Sequence, residues 1–356
     1  MVDVQRFLNE HDVVVDWRSE VFGFRFDART SRGRMPEKRT YFIRIAHADN
    51  PDCFAIGECP LFQGLSAEDN DGYESRLSDV CRDVRAGYAD SDSSVRFGIE
   101  SAVRLLAAGR QTVFCTENDW MRGRCGIHIN GLVWMGDRKT MLERIKNKLN
   151  NGFKCLKLKI GGIKFEEELE LLTFIRKCFG PSDLELRVDA NGAFCKDNAI
   201  GCLMALSRFD IHSIEQPIKP GQWESMRRLC DAGIIPVALD EELIGIHSDA
   251  EKMTMLDAIR PQYIILKPSL CGGFVQADAW IDAAENSGIG WWATSALETN
   301  IGLAAIGSWI SDKNVTMCQG LGTGEVFSRN YSTGIVLRGS RLYFDPHAQL
   351  SMPQFD

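Results

Sequence analysis

A strand–loop–helix unit recurs through the second half of this chain, and each strand ends on a polar residue followed by turn chemistry. The terminal groups are Lys159, Asp189, Glu215, Asp240, Lys267 and Ser295, separated by 30, 26, 25, 27 and 28 residues. That interval holds one strand, one helix and two loops, so successive strands run parallel through right-handed crossovers. One unit shows the pattern. In CLKLKIG, Leu156, Leu158 and Ile160 share one face, and Lys157 and Lys159 share the other. The helix KFEEELELLTFIRKCF follows, with Phe165, Leu169, Leu172, Ile175 and Phe179 as its apolar stripe. Later strands are LELRVDANG, IHSIEQP, IPVALDEEL, YIILKPSL and GWWATSALE. With IHINGLVWMG before the array and TMCQGLGTG after it, the strands number about eight, which a closed (β/α) barrel accommodates. An open doubly wound sheet calls for G-x-G-x-x-G after its first strand, and none is there.

The first part of the chain reads differently, as a small α+β region ending near residue 125. VVVDW, EVFGFRF and TYFIRI are strand-like, and ARTSRGRMPEK between the last two reads as a polar loop. Residues 66–86 and 94–110 read as helices, the second with a stripe of Val95, Ile99, Ala102, Val103 and Leu106.

Composition narrows the function. Of 356 residues, 44% are hydrophobic and 25% charged, ordinary values for a globular chain with a large core. A net charge of -8 argues against a nucleic-acid surface. No run approaches 18 apolar residues, so no membrane span is expected. The N-terminus carries Asp3, Glu10, Asp12 and Asp16 instead of the basic-then-apolar layout of a secretory signal, so a cytoplasmic location is expected. The 12 cysteines contain no C-x-x-C pair and read as reduced thiols of the core. The six histidines form no zinc-binding pair.

The chemistry lies at the strand ends, which form the active face of such a barrel. Asp189 opposes Leu186 and Val188, Asp240 opposes Val237 and Leu239, and Lys267 opposes Ile264 and Leu266, so the charged groups face the barrel axis. Asp189, Glu215 and Asp240 are three oxygen donors on three successive strands, a set that suits Mg²⁺. Lys159 lies one strand before them and Lys267 one strand after. A lysine close to a cation and another amine has a depressed pKa, which suits it to act as a base on a proton next to a carboxylate. Lys157 either assists that depression or forms a structural ion pair. Asn191 and Glu241 read as supporting groups beside the proposed ligands.

K-x-K at Lys157–Lys159, D-A-N at Asp189–Asn191, I-E-Q-P at Ile214–Pro217, D-E at Asp240–Glu241 and K-P at Lys267–Pro268 follow one order and spacing. In these the chain resembles the enolase superfamily, in its muconate-lactonising branch. The resemblance implies an α/β fold in which residues 1–125, completed by 326–356, form an α+β capping domain over a (β/α) barrel of residues 126–325. It implies Mg²⁺, or Mn²⁺ in its place, on Asp189, Glu215 and Asp240, with Lys159 and Lys267 as catalytic residues. ARTSRG, GECPLFQGLS, INGLVWMG, SALETNIG and GLGTGEVF point further, to the members that dehydrate a succinyl-bearing hydroxycyclohexadiene carboxylate to an aromatic acid in menaquinone biosynthesis. On that likeness Thr30, Ser31, Arg32, Gly33 and Ser295 contact the small-molecule carboxylate substrate. An N-acylamino acid racemase, dipeptide epimerase or cycloisomerase is the alternative. Where many relatives have D-E-S, this chain has Asp240, Glu241 and Glu242.

Overall fold

The computed structural model describes residues 2–30, 33–324 and 326–355, with the backbone alone at Arg29 and Thr30. Ser31 and Arg32 of the expected substrate loop lie outside the described residues. An opening helix α1 (Val4–Glu10) precedes an antiparallel sheet of β1 (Val13–Thr30), β2 (Gly33–His47) and β3 (Asn50–Cys59). Helices α2 (Tyr73–Arg82), α3 (Val84–Gly87) and α4 (Ser93–Ala107) follow.

This sheet is covered on both faces. Ile43 and Ile45 pack with Leu77, Ile99 and Val103 on one side. Phe42 and Ile56 pack with Trp134, Leu297, Ile301 and Phe327 on the other. The alternation of strand side chains thus presents one apolar face to helices and the other to the barrel.

Two local readings need correcting. ARTSRGRMPEK is mostly strand: the β1–β2 ladder resumes at Ala28↔Met35 and runs to Thr30↔Gly33 after a shift beyond Gly23. Within that shift β1 turns to the end of the chain, where Arg25 N donates to Val326 O at 2.9 Å and Ser328 N donates to Gly23 O at 2.8 Å. Residues 66–72 are not helical. Ser66 Oγ accepts from Phe62 N at 2.9 Å, Asp69 Oδ2 from Gly64 N at 2.7 Å, and Asn70 Oδ1 from Gly72 N at 3.1 Å. Such short polar side chains offer the backbone partners that compete with the helix.

The second sheet is parallel, in the order β11-β10-β9-β8-β7-β6-β5. Its strands are β5 (Gly131–Val133), β6 (Cys155–Lys159), β7 (Glu185–Asp189), β8 (Ser213–Glu215), β9 (Val237–Leu239), β10 (Tyr263–Leu266) and β11 (Gly290–Ala293). Helices α5 (Arg138–Asn150), α6 (Phe165–Cys178), α7 (Ala199–Ser207), α8 (Trp223–Ala232), α9 (Asp249–Ile259) and α10 (Gly273–Asn286) connect them, and α11 (Asn300–Ser311) follows β11. The eighth position is reduced to Gln319 and Gly320. Asn130 N donates to Gln319 O at 3.0 Å on one side, and Gly320 N donates to Ala293 O at 2.7 Å on the other. The ring therefore closes as a barrel, with a glycine-rich last strand too irregular for a longer ladder. At its base β4 (Ile127–His128) joins the C-terminal hairpin β12 (Ile335–Arg338) and β13 (Arg341–Phe344). No described helix is long and apolar enough to cross a membrane. The 12 cysteines are unpaired, but only Cys59, Cys115, Cys155, Cys230 and Cys271 are buried, so the core holds fewer than half of them.

Buried carboxylates fasten the first sheet and its helices to the barrel. Glu58 of β3 accepts from Thr299 N at 3.0 and 2.9 Å, from Thr299 Oγ1 at 2.6 Å and from Gly302 N at 3.0 Å, all at the start of α11. Glu100 of α4 accepts from Phe274 N at 2.7 Å and Val275 N at 3.0 Å at the start of α10. Both glutamates are 0% exposed. Each satisfies helix-end N–H groups and meets the positive end of a helix dipole.

A third carboxylate works inside the barrel layer. Glu168 of α6 accepts from Gly161 N at 2.6 Å and Gly162 N at 3.1 Å, gripping the loop that follows β6. Its side chain is buried, which shifts the core-facing side of α6 to Glu168, Leu171, Leu172 and Ile175. Burial pushes its pKa up to about 7, against the pull of those N–H groups.

Glu58→Ala leaves several buried donors without an acceptor. It is expected to lower unfolding free energy by about 2–3 kcal/mol, read from the urea midpoint at constant slope, and a loss below about 0.5 kcal/mol would refute the fastening. Glu168 gives a pH-dependent test. Its folded pKa lies above its unfolded one, so the folded state holds the proton longer and stability falls as pH rises from about 4.5 to about 7. Glu168→Gln cannot ionise, so its stability relative to the native chain should improve between pH 5 and pH 8 by on the order of 2 kcal/mol. A difference independent of pH would remove the buried carboxylate from that role.

Candidate active site

The inner face of the barrel is built in layers. At the floor, the Arg187 guanidinium lies 4.2 Å from the Trp292 ring centroid, donates to Glu185 Oε1 at 2.7 Å, and donates to Cys318 O at 3.0 Å. This stacked, paired arginine plugs the barrel beneath the site. Above it the parallel register sets Lys159 beside Asp189 and Asp189 beside Glu215. Asp240 follows β9 and Lys267 follows β10, one residue past each strand. The structure thus brings together all five charged residues expected at the strand ends.

Asp189, Glu215 and Asp240 are at most 2% exposed. Lysines lie between them. Lys157 Nζ is 2.9 Å from Asp189 Oδ2 and also contacts Glu215 Oε2. Lys159 Nζ donates to Asp189 Oδ2 at 2.9 Å and to Asn191 Oδ1 at 2.6 Å. Lys267 Nζ donates to Asp240 Oδ2. Lys159 and Lys267 therefore stand at opposite ends of the carboxylate row, and Lys157 forms ion pairs beneath it. Asn191 Nδ2 donates to Glu241 Oε1 at 3.1 Å, which ties the loops after β7 and β9 together.

The electrostatics are those of crowded acids. Burial opposes the charge on Asp189, yet Lys157 and Lys159 beside it hold its carboxyl well below the usual range. Burial together with repulsion from Asp189 and Asp240 pushes Glu215 well above it, more than Lys157 and Lys267 can offset. Burial disfavours the Lys267 ammonium, but Asp240, Glu215 and Glu241 outweigh that and its pKa stands above the ordinary lysine value. The same balance raises Lys157. Paired with carboxylates, Lys157 and Lys267 are stabilised in the charged form.

The donor set suits a hard divalent cation. Its oxygens are carboxylates from three adjacent strands, and Glu215 Oε1 is buried without a hydrogen-bond partner. In the arrangement seen here the lysines space the acids, and no three histidine, cysteine or acidic side chains among the described residues are gathered as a ready-made cage.

A cavity opens above this layer. Lys157, Lys159, Lys267, Asn191 and Glu241 line its charged side. Phe62, Leu65, Leu132, Trp134 and Leu297 line its apolar side. Ser295 and Thr323 complete the wall, their hydroxyls 2.6 Å apart. Phe62 and Leu65 belong to the loop after Glu58, while Gly33 is exposed at the hairpin tip and is not among the lining residues. Asn130, Thr294 and Thr323 were not legible as lining residues in the sequence. The one available signal was the polar Asn130 interrupting an apolar strand.

One buried lysine also escaped the sequence reading. Lys38 of β2 donates to Leu297 O at 2.7 Å and Ala296 O at 3.3 Å, and so fixes the loop after β11 against the first sheet. Burial pushes its pKa down. It sits in a stretch that reads as polar loop, so nothing in the pattern marks it as buried.

With this geometry in place, the likeness to known proteins is specific. The family model "Enolase C-terminal domain-like" matches residues 140–320. The chain is 42% identical over 357 residues to o-succinylbenzoate synthase of Desulfotalea psychrophila, covering 90% of this chain and 95% of that protein. It is 30% identical over 344 residues to N-succinylamino acid racemase of Amycolatopsis, covering 88% of this chain and 87% of that one. The crystal structure of MenC from Desulfotalea psychrophila LSv54 superposes with a TM-score of 0.76 at 37% identity, covering 93% of this chain and 99% of that chain. On these grounds the chain belongs to the o-succinylbenzoate synthase family of the enolase superfamily.

Proposed function

We propose that this protein dehydrates 2-succinyl-6-hydroxy-2,4-cyclohexadiene-1-carboxylate to 2-succinylbenzoate, a step of menaquinone biosynthesis, with Mg²⁺ as its cation and Mn²⁺ as a substitute. The observation that carries the reading is the 42% identity to the Desulfotalea psychrophila o-succinylbenzoate synthase across 90% of this chain, together with Lys159 and Lys267 facing one cavity from opposite ends of the buried carboxylate row. In this reading residues 1–125 with 326–356 cap the barrel of 126–325.

Asp189, Glu215 and Asp240 would hold the cation, which when bound lends positive charge to the substrate carboxylate and acidifies the adjacent C–H. Lys159, as the free amine, takes the α-proton. The electron pair left on carbon forms the new ring double bond as the C–O bond to the hydroxyl breaks. Lys159 then returns its proton to the departing hydroxyl, so water leaves from the same face and the ring becomes aromatic. Lys267 stays charged on the other side, where its ammonium stabilises the electron-rich ring. Asn191 holds Lys159 in line, and Ser295 with the apolar wall seats the substituted ring and its side chain.

A 1,1-proton transfer on an N-succinylamino acid is the second reading. Amines at both ends of the carboxylate row favour it, as does the similarity to the Amycolatopsis racemase. Deuterium uptake separates the two. The proposal expects aromatic product by ultraviolet absorbance, and fast racemisation of N-succinylamino acids with negligible dehydration would overturn it.

Lys159→Ala should lower kcat by about 10³-fold or more and abolish exchange of the α-proton. Lys267→Ala should lower kcat by about 10²–10³-fold while α-proton exchange continues. Equal loss of exchange in both variants would contradict the one-base assignment. Chelation should abolish turnover, and added Mg²⁺ should restore it. Full turnover after exhaustive chelation would remove the cation from the scheme.

A further inference from the structure

One residue beside the proposed ligands holds an unusual conformation. Gln216 directly follows Glu215, and its φ of 38° lies in the left-handed region that a non-glycine residue adopts only when its surroundings insist. The surroundings do insist. Gln216 is 0% exposed and every polar group of its side chain is engaged. Its Nε2 donates to Ile218 O at 3.1 Å and to Glu242 Oε2 at 3.0 Å. Its Oε1 accepts from Asp240 N at 3.2 Å and Glu242 N at 3.4 Å. The amide thus bridges directly from the residue after Glu215 to the backbone of Asp240.

Glu242 closes this bridge. It is 5% exposed, and its second oxygen, Oε1, accepts from Gly221 N at 2.8 Å. One carboxylate therefore ties the loop after β8 at two points, Gln216 and Gly221, to the turn after β9. A serine at this position, as in D-E-S, is too short to reach both partners. Glu242 itself does not line the cavity that holds Lys159 and Lys267.

We propose that Glu242, acting through Gln216, is a positioning residue that sets the separation of the Glu215 and Asp240 carboxylates and thereby the affinity of the cation site. The proposal rests on the reading of Asp189, Glu215 and Asp240 as cation ligands. Removing the Glu242 carboxylate leaves Gly221 N–H without its acceptor and Gln216 Nε2 with Ile218 O alone, so the left-handed turn at Gln216 loses one of the contacts that oppose its relaxation. Groups that orient ligands in this way typically contribute about 10–100-fold to metal affinity.

Calorimetric titration of the full chain with Mg²⁺, beside thermal melting in chelator, tests this. Glu242→Ala should raise the Mg²⁺ Kd by about 10–100-fold while the metal-free melting curve stays cooperative. Glu242→Gln keeps one acceptor oxygen and should show a smaller rise; it decides the matter if the alanine variant does not fold. In a Gln216→Ala background the effect of Glu242→Ala should shrink, because the two act in series. An unchanged Kd in a folded Glu242 variant overturns the proposal, as does a Glu242 effect that persists undiminished without Gln216. A native chain that binds no Mg²⁺ overturns the ligand reading instead, which keeps the two failures distinct.

Discussion

Three carboxylates buried on neighbouring strand ends are the constraint from which the rest of this barrel follows. Each taken alone would be costly to remove from water, and together they repel. The fold answers with lysines from β6 and the end of β10, so that Asp189, Glu215 and Asp240 all meet an ammonium. Those lysines need strands on both flanks of the carboxylate strands, and a parallel barrel supplies them by bringing successive strand ends around one axis. Even so the balance is incomplete: Glu215 keeps a buried oxygen without a partner and a strongly raised pKa. That residual deficit of positive charge is the physical basis for placing a cation there.

The same chemistry recurs where the first sheet meets the barrel. Glu58 and Glu100 end on the N-termini of α11 and α10, so helix-end N–H groups of the barrel are satisfied by carboxylates from the N-terminal region. Lys38 does the converse, giving its ammonium to the carbonyls of Ala296 and Leu297. These contacts decide the shape of the cavity. Its apolar wall combines Phe62 and Leu65 from beyond β3 with Leu297 from beyond β11, and it keeps that composition only while the two layers are fastened.

Local chemistry misled the sequence reading in identifiable places. ARTSRGRMPEK reads as loop by its glycine, proline and charges, but a long hairpin carries it, and Lys38 within it is buried. SAEDNDG reads as the start of a helix, but its short side chains cap the backbone of a turn. Glu168 falls outside the apolar stripe read for its helix, yet it faces inward to hold the loop after Lys159. For Lys38 and Glu168, burial of a polar group was decided by a partner distant in sequence or by the backbone of a neighbouring loop, whereas the turn at 66–72 was decided by its own short side chains. No periodicity reports such a partner.

The sequence by itself determined the parallel barrel and the charged residues at its strand ends. Both are periodic properties: strand alternation decides which side chains point inward, and the near-constant unit length decides that they arrive at the same level. The tertiary structure alone decided which oxygen meets which ammonium, that the eighth strand shrinks to Gln319 and Gly320, and which side chains from the first sheet close the cavity. Those outcomes depend on distances between residues far apart in the chain. Hydrogen bonds and ion pairs act over a few ångströms in three dimensions, so their partners are chosen only once the layers have packed.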